Sequence, residues 1–252
     1  MMLQAKNIVK SFTQDTSPIL NKLNLSLAPG EFCVLIGSNG SGKSTFLKTL
    51  SGENTLDSGQ ILLNGRDITT LSFSERAKYI SGVSQNILQG TIQEMTLLEN
   101  LVLSQLRGEK AKFKKIKHHY ANLREKLFHL NPALEIYLDK PLSCLSGGQK
   151  QMVATLMATL NEPFLLLLDE HCSALDPKTQ IDVMEFTAKM IAELGITALM
   201  VTHHLNDALN YGDRLIMLHQ GQISHDFNQR QKKSLKMADL FELFQINNEV
   251  FQ

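Results

Sequence analysis

A chain of 252 residues in which 25 Lys and Arg balance 25 Asp and Glu can bury a substantial core, as one domain or two closely joined lobes, and lacks the global positive field of a nucleic-acid binder. Cys33, Cys144 and Cys172 are too few at this length for a disulfide framework, and apolar runs such as Phe164 to Leu168 or Ala198 to Val201 are far too short to span a bilayer. With no secretory signal visible in Met1 to Lys10, the composition predicts a soluble, reduced, cytoplasmic protein that something else must anchor if it works at a membrane.

The first segment reads as β-rich, because Leu23, Leu25 and Leu27 alternate with polar residues. Phe32 to Ile36 is a short apolar run entering a Gly-rich loop, and Thr45, Phe46, Leu47 and Leu50 then begin a helical pattern. Ile61-Leu62-Leu63 precedes Asn64-Gly65, a strong two-residue hairpin signal. From about Leu97 to Leu142 the spacing of Leu97, Leu98, Leu101 and Leu103, and later of Leu123, Leu127 and Leu130, predicts a helical insert punctuated by Asn131-Pro132 and Lys140-Pro141. Met152, Val153, Leu156, Met157 and Leu160 keep a 3.6-residue period. Phe164 to Leu168 and Ile196 to Val201 read as buried parallel strands, the second following a helix from roughly Pro177 to Leu194. Leu215 to Leu218, Gln220-Gly221 and Gln222 to Ser224 form a terminal hairpin pattern, and Ser234 to Phe244 reads as one short amphipathic helix carrying Leu235, Leu240, Phe241 and Phe244.

The loop Gly37-Ser38-Asn39-Gly40-Ser41-Gly42-Lys43-Ser44-Thr45 stands between a strand and a helix, the context a phosphate-binding loop requires. Its backbone N–H groups can wrap a triphosphate only where bulky side chains are absent, and the helix that follows points its dipole at the anion. Lys43 should reach the β and γ oxygens of a nucleoside triphosphate, and the Ser44 hydroxyl should ligate Mg²⁺. Asp169 ends a strand of four leucines and is expected to reach the same ion from outside its ligand set. Glu170 is the candidate general base that polarises a water in line with the γ-phosphorus. Gln85, between the β-rich start and the helical insert, is placed to reach both Mg²⁺ and that water. His203 follows a buried strand and is expected to contact the γ-phosphate, in preference to His204. Ser146, Gly147 and Gly148, with Gln149 beside them, offer a hydroxyl and bare amides at a helix N-terminus, a second anion site in the same chain.

Ser143-Cys144-Leu145-Ser146-Gly147-Gly148-Gln149-Lys150-Gln151, downstream of the phosphate loop and just upstream of Phe164 to Glu170, resembles the signature of the ATP-binding subunits of ABC transporters, and the resemblance runs over nearly the whole chain. It implies an α/β fold: a P-loop NTPase core, mostly parallel sheet flanked by helices, with an N-terminal antiparallel β subdomain and an inserted α-helical subdomain. Residues 1–252 then form a single ABC ATPase domain, with 1–85 and 161–252 as the nucleotide-binding core and 86–160 as the helical subdomain. The family's head-to-tail homodimer places each signature against the partner's phosphate loop and closes on two ATP molecules. Ser173-Ala174-Leu175-Asp176 matches its dimer-contact loop, and Phe12 stands where an aromatic stacks on adenine, the other reading being a core phenylalanine. The implied partners are integral-membrane permease subunits, a second ATPase subunit and, indirectly, an extracytoplasmic substrate-binding protein, with no nucleic acid. The implied place is the cytoplasmic face of the inner membrane.

Two departures are visible. His171 stands where most of the family has proline, and His204 where most has an acid. Asp169-Glu170-His171 ahead of Ala174 to Thr179, with the pattern Leu235 to Phe244, resembles a narrower set of bacterial importer ATPases assigned to tryptophan or tyrosine uptake. The alternative is a soluble ABC ATPase, for example of the iron–sulfur assembly type. The permease surface is expected around Asn86 to Leu101, with Ile87, Leu88, Gly90, Ile92 and Met95. The basic run Arg107 to Lys117 reads as a solvated face, and Cys144 and Cys172 as small buried thiols.

Overall fold

The structure, a computed structural model, describes residues 1–13, 17–86, 90–105, 123 and 132–249. Strands β1 (Leu3–Lys10), β2 (Leu20–Leu27), β4 (Ser58–Leu63) and β5 (Arg66–Asp67) make an antiparallel sheet in the order β2-β1-β4-β5. The alternating leucines of β2 are its buried face: Leu23, Leu25 and Leu27 lie opposite Ile8, Ala5 and Leu3 of β1. Asn64 and Gly65 both take left-handed φ, 47° and 77°, and put Leu63 opposite Arg66, the two-residue turn expected of that pair.

The second sheet runs β10-β9-β3-β8-β7-β6. Within it β3 (Phe32–Ile36), β6 (Ile80–Ser84), β7 (Leu165–Asp169), β8 (Thr197–Val201) and β9 (Arg214–His219) are parallel, and β10 (Gln222–Phe227) returns antiparallel at the edge. Its central strands are apolar except at their ends, because both faces are covered. Cys33, Leu35, Leu165, Leu167, Leu199 and Leu218 face the antiparallel sheet across Phe46 and Leu50 of helix α1 (Lys43–Ser51). Val34, Ile36, Leu166, Leu168, Met200 and Leu215 face the opposite way, toward residues such as Val183 and Met184 of the long helix that precedes β8.

A third core is helical. It joins Leu97 and Leu101 of α3 (Leu97–Gln105) to Leu123, to Leu134 of α4 (Pro132–Glu135) and to Val153 and Leu156 of α5 (Gly147–Thr159), and it meets Phe186 and Met190 of α6 (Pro177–Leu194). The buried stripe of α3 is Leu97, Leu98, Leu101 and Val102; Leu103, expected on that face, is 42 % exposed. Leu127, Leu130, Asn131 and the basic run Arg107 to Lys117 lie outside the described residues.

Helix α6 keeps the bounds read from its sequence, since Asp176 caps it, Pro177 opens it and Gly195 ends it at φ 60°. The C-terminal segment differs from expectation. Two helices, α8 (Gln229–Ser234) and α9 (Met237–Glu249), replace the single helix expected over Ser234 to Phe244, because Leu235 is extended (φ −69°, ψ 139°) and the Asp239 carboxylate accepts from the Lys236 N–H at 2.7 Å. Between β8 and β9 lies a short α7 (Leu205–Asn210), and α2 (Phe73–Arg76) precedes β6.

Candidate functional site

Register alone gathers most of the expected residues on one rim. Ser84 of β6 pairs with Asp169 of β7, Asp169 with Val201 of β8, and Val201 with Leu35 of β3. The residues just past that row are Gln85, Glu170, Thr202-His203 and the loop that opens at Gly37. Ligands of open parallel sheets bind at the carboxyl ends of the strands, and here four such ends contribute.

The loop is shaped by close approach. A Cβ on Gly37 would sit 2.3 Å from the Leu218 carbonyl oxygen, and Gly42, which precedes the first turn of α1, takes φ 105° with the Ile19 carbonyl 2.9 Å from where its Cβ would be. The N–H groups of the first turn of α1 have no partners within the helix, so they and the positive end of its dipole serve an anion. Lys43 Nζ folds back over the loop, donating to the carbonyls of Gly37 (2.8 Å) and Ser38 (2.9 Å). Burial lowers the Lys43 pKa, and the charges of Glu170 and Asp169 oppose that shift. Asp169 is raised, first by burial and next by the neighbouring Glu170 carboxylate, with Lys48 and Lys43 pulling it down. Ser38 is half-buried and Asn39, Gly40 and Ser44 are exposed, while Ser41 and Gly42 are buried and Thr45 is partly so.

Glu170 and His203 are a contacting pair, with Glu170 Oε2 3.3 Å from His203 Nδ1. Glu170 takes φ 48°, a left-handed backbone uncommon outside glycine. Its N–H donates to the Val201 carbonyl at 3.0 Å, and its own carbonyl accepts from Ser173 N–H and Oγ. The peptide is thus fixed from both sides in the turn that aims its side chain outward. Gln85 is exposed on the same rim.

Phe12 is 59 % exposed, with Lys10 Nζ 5.5 Å from its ring centroid. That excludes the core reading and leaves an open aromatic face. Lys10 in turn pairs with Asp57 at 3.2 Å, and the Ser11 N–H donates to the same carboxylate at 2.6 Å.

Ser146 caps α5 through a reciprocal box: its Oγ accepts from Gln149 N–H at 3.3 Å, and Gln149 Oε1 accepts from Ser146 N–H at 2.9 Å. The hydroxyl proton and the N–H groups of Gly147 and Gly148 remain for an anion. Gly148 is also a packing residue, since a Cβ there would lie 2.2 Å from Thr179 Cγ2 of α6. The signature belongs to the helical core, apart from the strand ends that carry the phosphate loop and Glu170.

Sequence reading missed the support behind Glu170. Asp207 of α7 is buried and accepts from Gln180 Nε2 of α6 at 2.7 Å. His204, left without a role, lies against His203, with ring centroids 4.2 Å apart and the planes tilted by 36°. Twenty-seven residues separate Gln180 from Asp207, and only the topology brings them together. Cys172 is buried and its thiol is pushed up to about 12 by burial, an inert thiol. Cys144 departs from expectation, being exposed on the turn at Leu142–Cys144.

Comparison with known proteins bears on the whole arrangement. The profile described as "ABC transporter" matches residues 20–173. A "Tyrosine transport ATP-binding protein" of Clostridioides difficile (strain R20291) is 43 % identical over 248 residues, 97 % of this chain and 99 % of that protein. A "Spermidine/putrescine import ATP-binding protein PotA" of Haemophilus influenzae is 35 % identical over 91 % of this chain, which spans 59 % of that longer protein. Among solved structures, a nucleotide-free ATP-binding cassette from an ABC transporter superposes with TM-score 0.80 at 25 % identity, covering 100 % of this chain and 98 % of that one. A dimeric cassette in a post-hydrolysis state with ADP and phosphate gives 0.73 at 28 % identity, covering 91 % and 99 %.

Proposed function

This chain belongs to the ABC transporter family, and we propose that the transporter it energises imports an aromatic amino acid, tyrosine first among them. It is an ATP-binding and ATP-hydrolysing subunit that powers a bacterial importer together with membrane permease subunits and a second cassette. Among the described residues no helix is long and apolar enough to cross a membrane, so the permease supplies the span. The subunit then works from the cytoplasmic face of the inner membrane, with an extracytoplasmic binding protein delivering cargo. The soluble alternative of the iron–sulfur type is disfavoured, because the relatives reported above are named as transport and import subunits.

The observation that carries the chemistry is the Glu170–His203 pair on the rim that also holds the phosphate loop and Asp169. The triphosphate lies along Gly37 to Thr45, its charge met by the amides of α1 and by Lys43, with adenine on Phe12. Glu170 accepts a proton from water as the water oxygen bonds to the γ-phosphorus and the bridge to the β-phosphate breaks, ADP leaving with the bond's electron pair. His203 holds that carboxylate and contacts the γ-phosphate, and Gln85 reaches the water. The Ser44 hydroxyl and the Gln85 amide oxygen are hard oxygen donors, with the Asp169 carboxylate reaching the ion from outside its ligand set, and that group of residues fits Mg²⁺ bound jointly with phosphates. Held there, the ion would offset the negative charge of the phosphates. A partner's Ser146 to Gln149 closes the site. The division into a core of 1–85 with 161–252 and a helical part of 86–160 is supported by the separate helical core.

Docking of the permease on Asn86 to Leu101 is supported by the 42 % exposure of Ile92. Asn100 organises that stretch, accepting from Ile92 N–H at 2.8 Å and donating to the Ile92 carbonyl at 2.9 Å; Ile87 and Leu88 lie outside the described residues. The test is uptake by proteoliposomes holding this subunit with its permease and the binding protein. ATP-dependent accumulation of tyrosine, abolished by Glu170→Gln, is expected. Brisk ATP hydrolysis stimulated by an unrelated cargo, with no tyrosine uptake, overturns the substrate reading.

A further inference from the structure

Behind Glu170 lies a small, partly open cavity of about 10 Å³ for a water's centre, lined by Glu170, Thr202, His204 and Asp207 on its polar side and by residues such as Met184 and Met200 on the other. That is about the size of one water site, and a buried water needs two to four polar partners. Two groups stand out. The His204 Nε2 atom is fully buried and has no hydrogen-bond partner among the described residues, an arrangement native interiors rarely leave unsatisfied. Asp207 is 8 % exposed, with one carboxylate oxygen taken by Gln180 Nε2 at 2.7 Å.

His204 itself is anchored. Its backbone N–H donates to Thr202 Oγ1 at 3.0 Å and it stands at the N-terminus of α7. Its ring covers one face of His203 at 4.2 Å between centroids, tilted by 36°. His203 otherwise has a side chain 48 % exposed and, among the described residues, one polar contact, the Glu170 carboxylate at 3.3 Å. A half-exposed imidazole held by a single bond would turn freely about its side-chain torsions, so the neighbouring ring decides where it points.

We propose that His204 and Asp207 are positioning residues: one water in the cavity bridges His204 Nε2 to the Asp207 carboxylate, and the ring so fixed holds His203 against Glu170. The line then runs from Gln180, at the start of the helix that Asp176 caps, through Asp207, the water and His204 to the reacting carboxylate. It begins four residues beyond the segment Ser173 to Asp176, which the family places against the partner subunit. The inference rests on the assignment of Glu170 and His203 above, and its test separates the two.

Steady-state ATPase activity would be measured for the subunit with Asp207→Asn, with His204→Phe, which keeps a ring against His203 but removes Nε2, and with both changes, beside Glu170→Gln as reference. Each single change should lower kcat about 10-fold with KM for ATP within about twofold, because displacement of a catalytic group acts on the chemical step. The double variant should fall no further than either single one, the mark of one network. Unchanged kcat in both single variants, or losses that multiply in the double, overturns the inference. If Glu170→Gln itself turns over like the wild type, the site assignment fails instead. A Tm drop without the kcat loss also counts against it, since mere packing residues would behave that way.

Discussion

His171 shows what one residue in an unusual place costs. It is buried completely among α6 and the β7 turn, its Nε2 3.4 Å from Thr187 Oγ1, and burial lowers its pKa to about 4. The unfolded chain protonates this imidazole below about pH 6.5 while the folded chain does not, so its contribution is neutral at pH 7 and destabilising as pH falls from about 6.5 to about 4. At pH 5 the penalty is about 2 kcal/mol. Asp169 and Asp207, whose pKa values are raised chiefly by burial, act in the opposite sense and stabilise the fold on acidification, so the wild-type curve alone does not isolate the histidine. His171→Leu keeps the site filled and removes the imidazole. Between pH 7 and pH 5 its Tm should fall less than that of the wild type, and parallel curves would show that His171 takes up its proton in the folded state.

At the scale of elements, the phosphate-loop helix is finished at its far end by Arg76, 2 % exposed, whose guanidinium donates to the carbonyls of Thr49 (2.8 Å), Leu50 (2.9 Å), Thr69 (2.8 Å) and Leu71 (3.0 Å). Two of these are last-turn carbonyls of α1, so a cation meets the negative end of the dipole whose positive end serves phosphate. Arg76→Leu strands several buried acceptors and should cost about 3 kcal/mol or more, read as a lowered urea midpoint; Arg76→Lys, lacking the planar fork, should recover little of it. Arg76 was invisible in the sequence because its partners are carbonyls, which no residue pattern encodes. By contrast α6 was legible to the residue, since cap, proline and terminal glycine are local signals. The parallel strands were legible as apolar runs, though Phe164 proves to stack on Tyr79, centroids 5.9 Å apart, ahead of β7. Helix α8 was missed because Gln229 to Ser234 is polar throughout and shows no apolar period, and α9 was started too early, at Ser234, because Leu235 extends its apolar spacing while the Asp239 carboxylate caps the chain at Lys236. Asp207 and Gln180 were missed for a related reason: a hydrogen bond between two helices depends on packing that neither segment states.

At the scale of the molecule, one chain carries two proposed anion sites of different build, the loop at α1 and the capped N-terminus of α5, seated on different cores. In a head-to-tail pair each pocket draws its loop from one subunit and its signature from the other. Lys43→Ala removes the ammonium from the first half, and Ser146→Arg fills the second. Each homodimer should hydrolyse ATP at a small fraction of the wild-type rate, because both of its pockets contain the defect. In a mixed dimer the two defects fall in the same pocket, and the other pocket joins an intact loop to an intact signature. Random pairing of equal amounts leaves about one pocket in four complete, if subunits exchange freely. Mixing the two inactive variants should therefore restore up to about a quarter of wild-type turnover, rising with protein concentration as dimers form. If loop and signature of the same chain worked on one ATP, no chain in the mixture would be whole and no activity would return at any concentration.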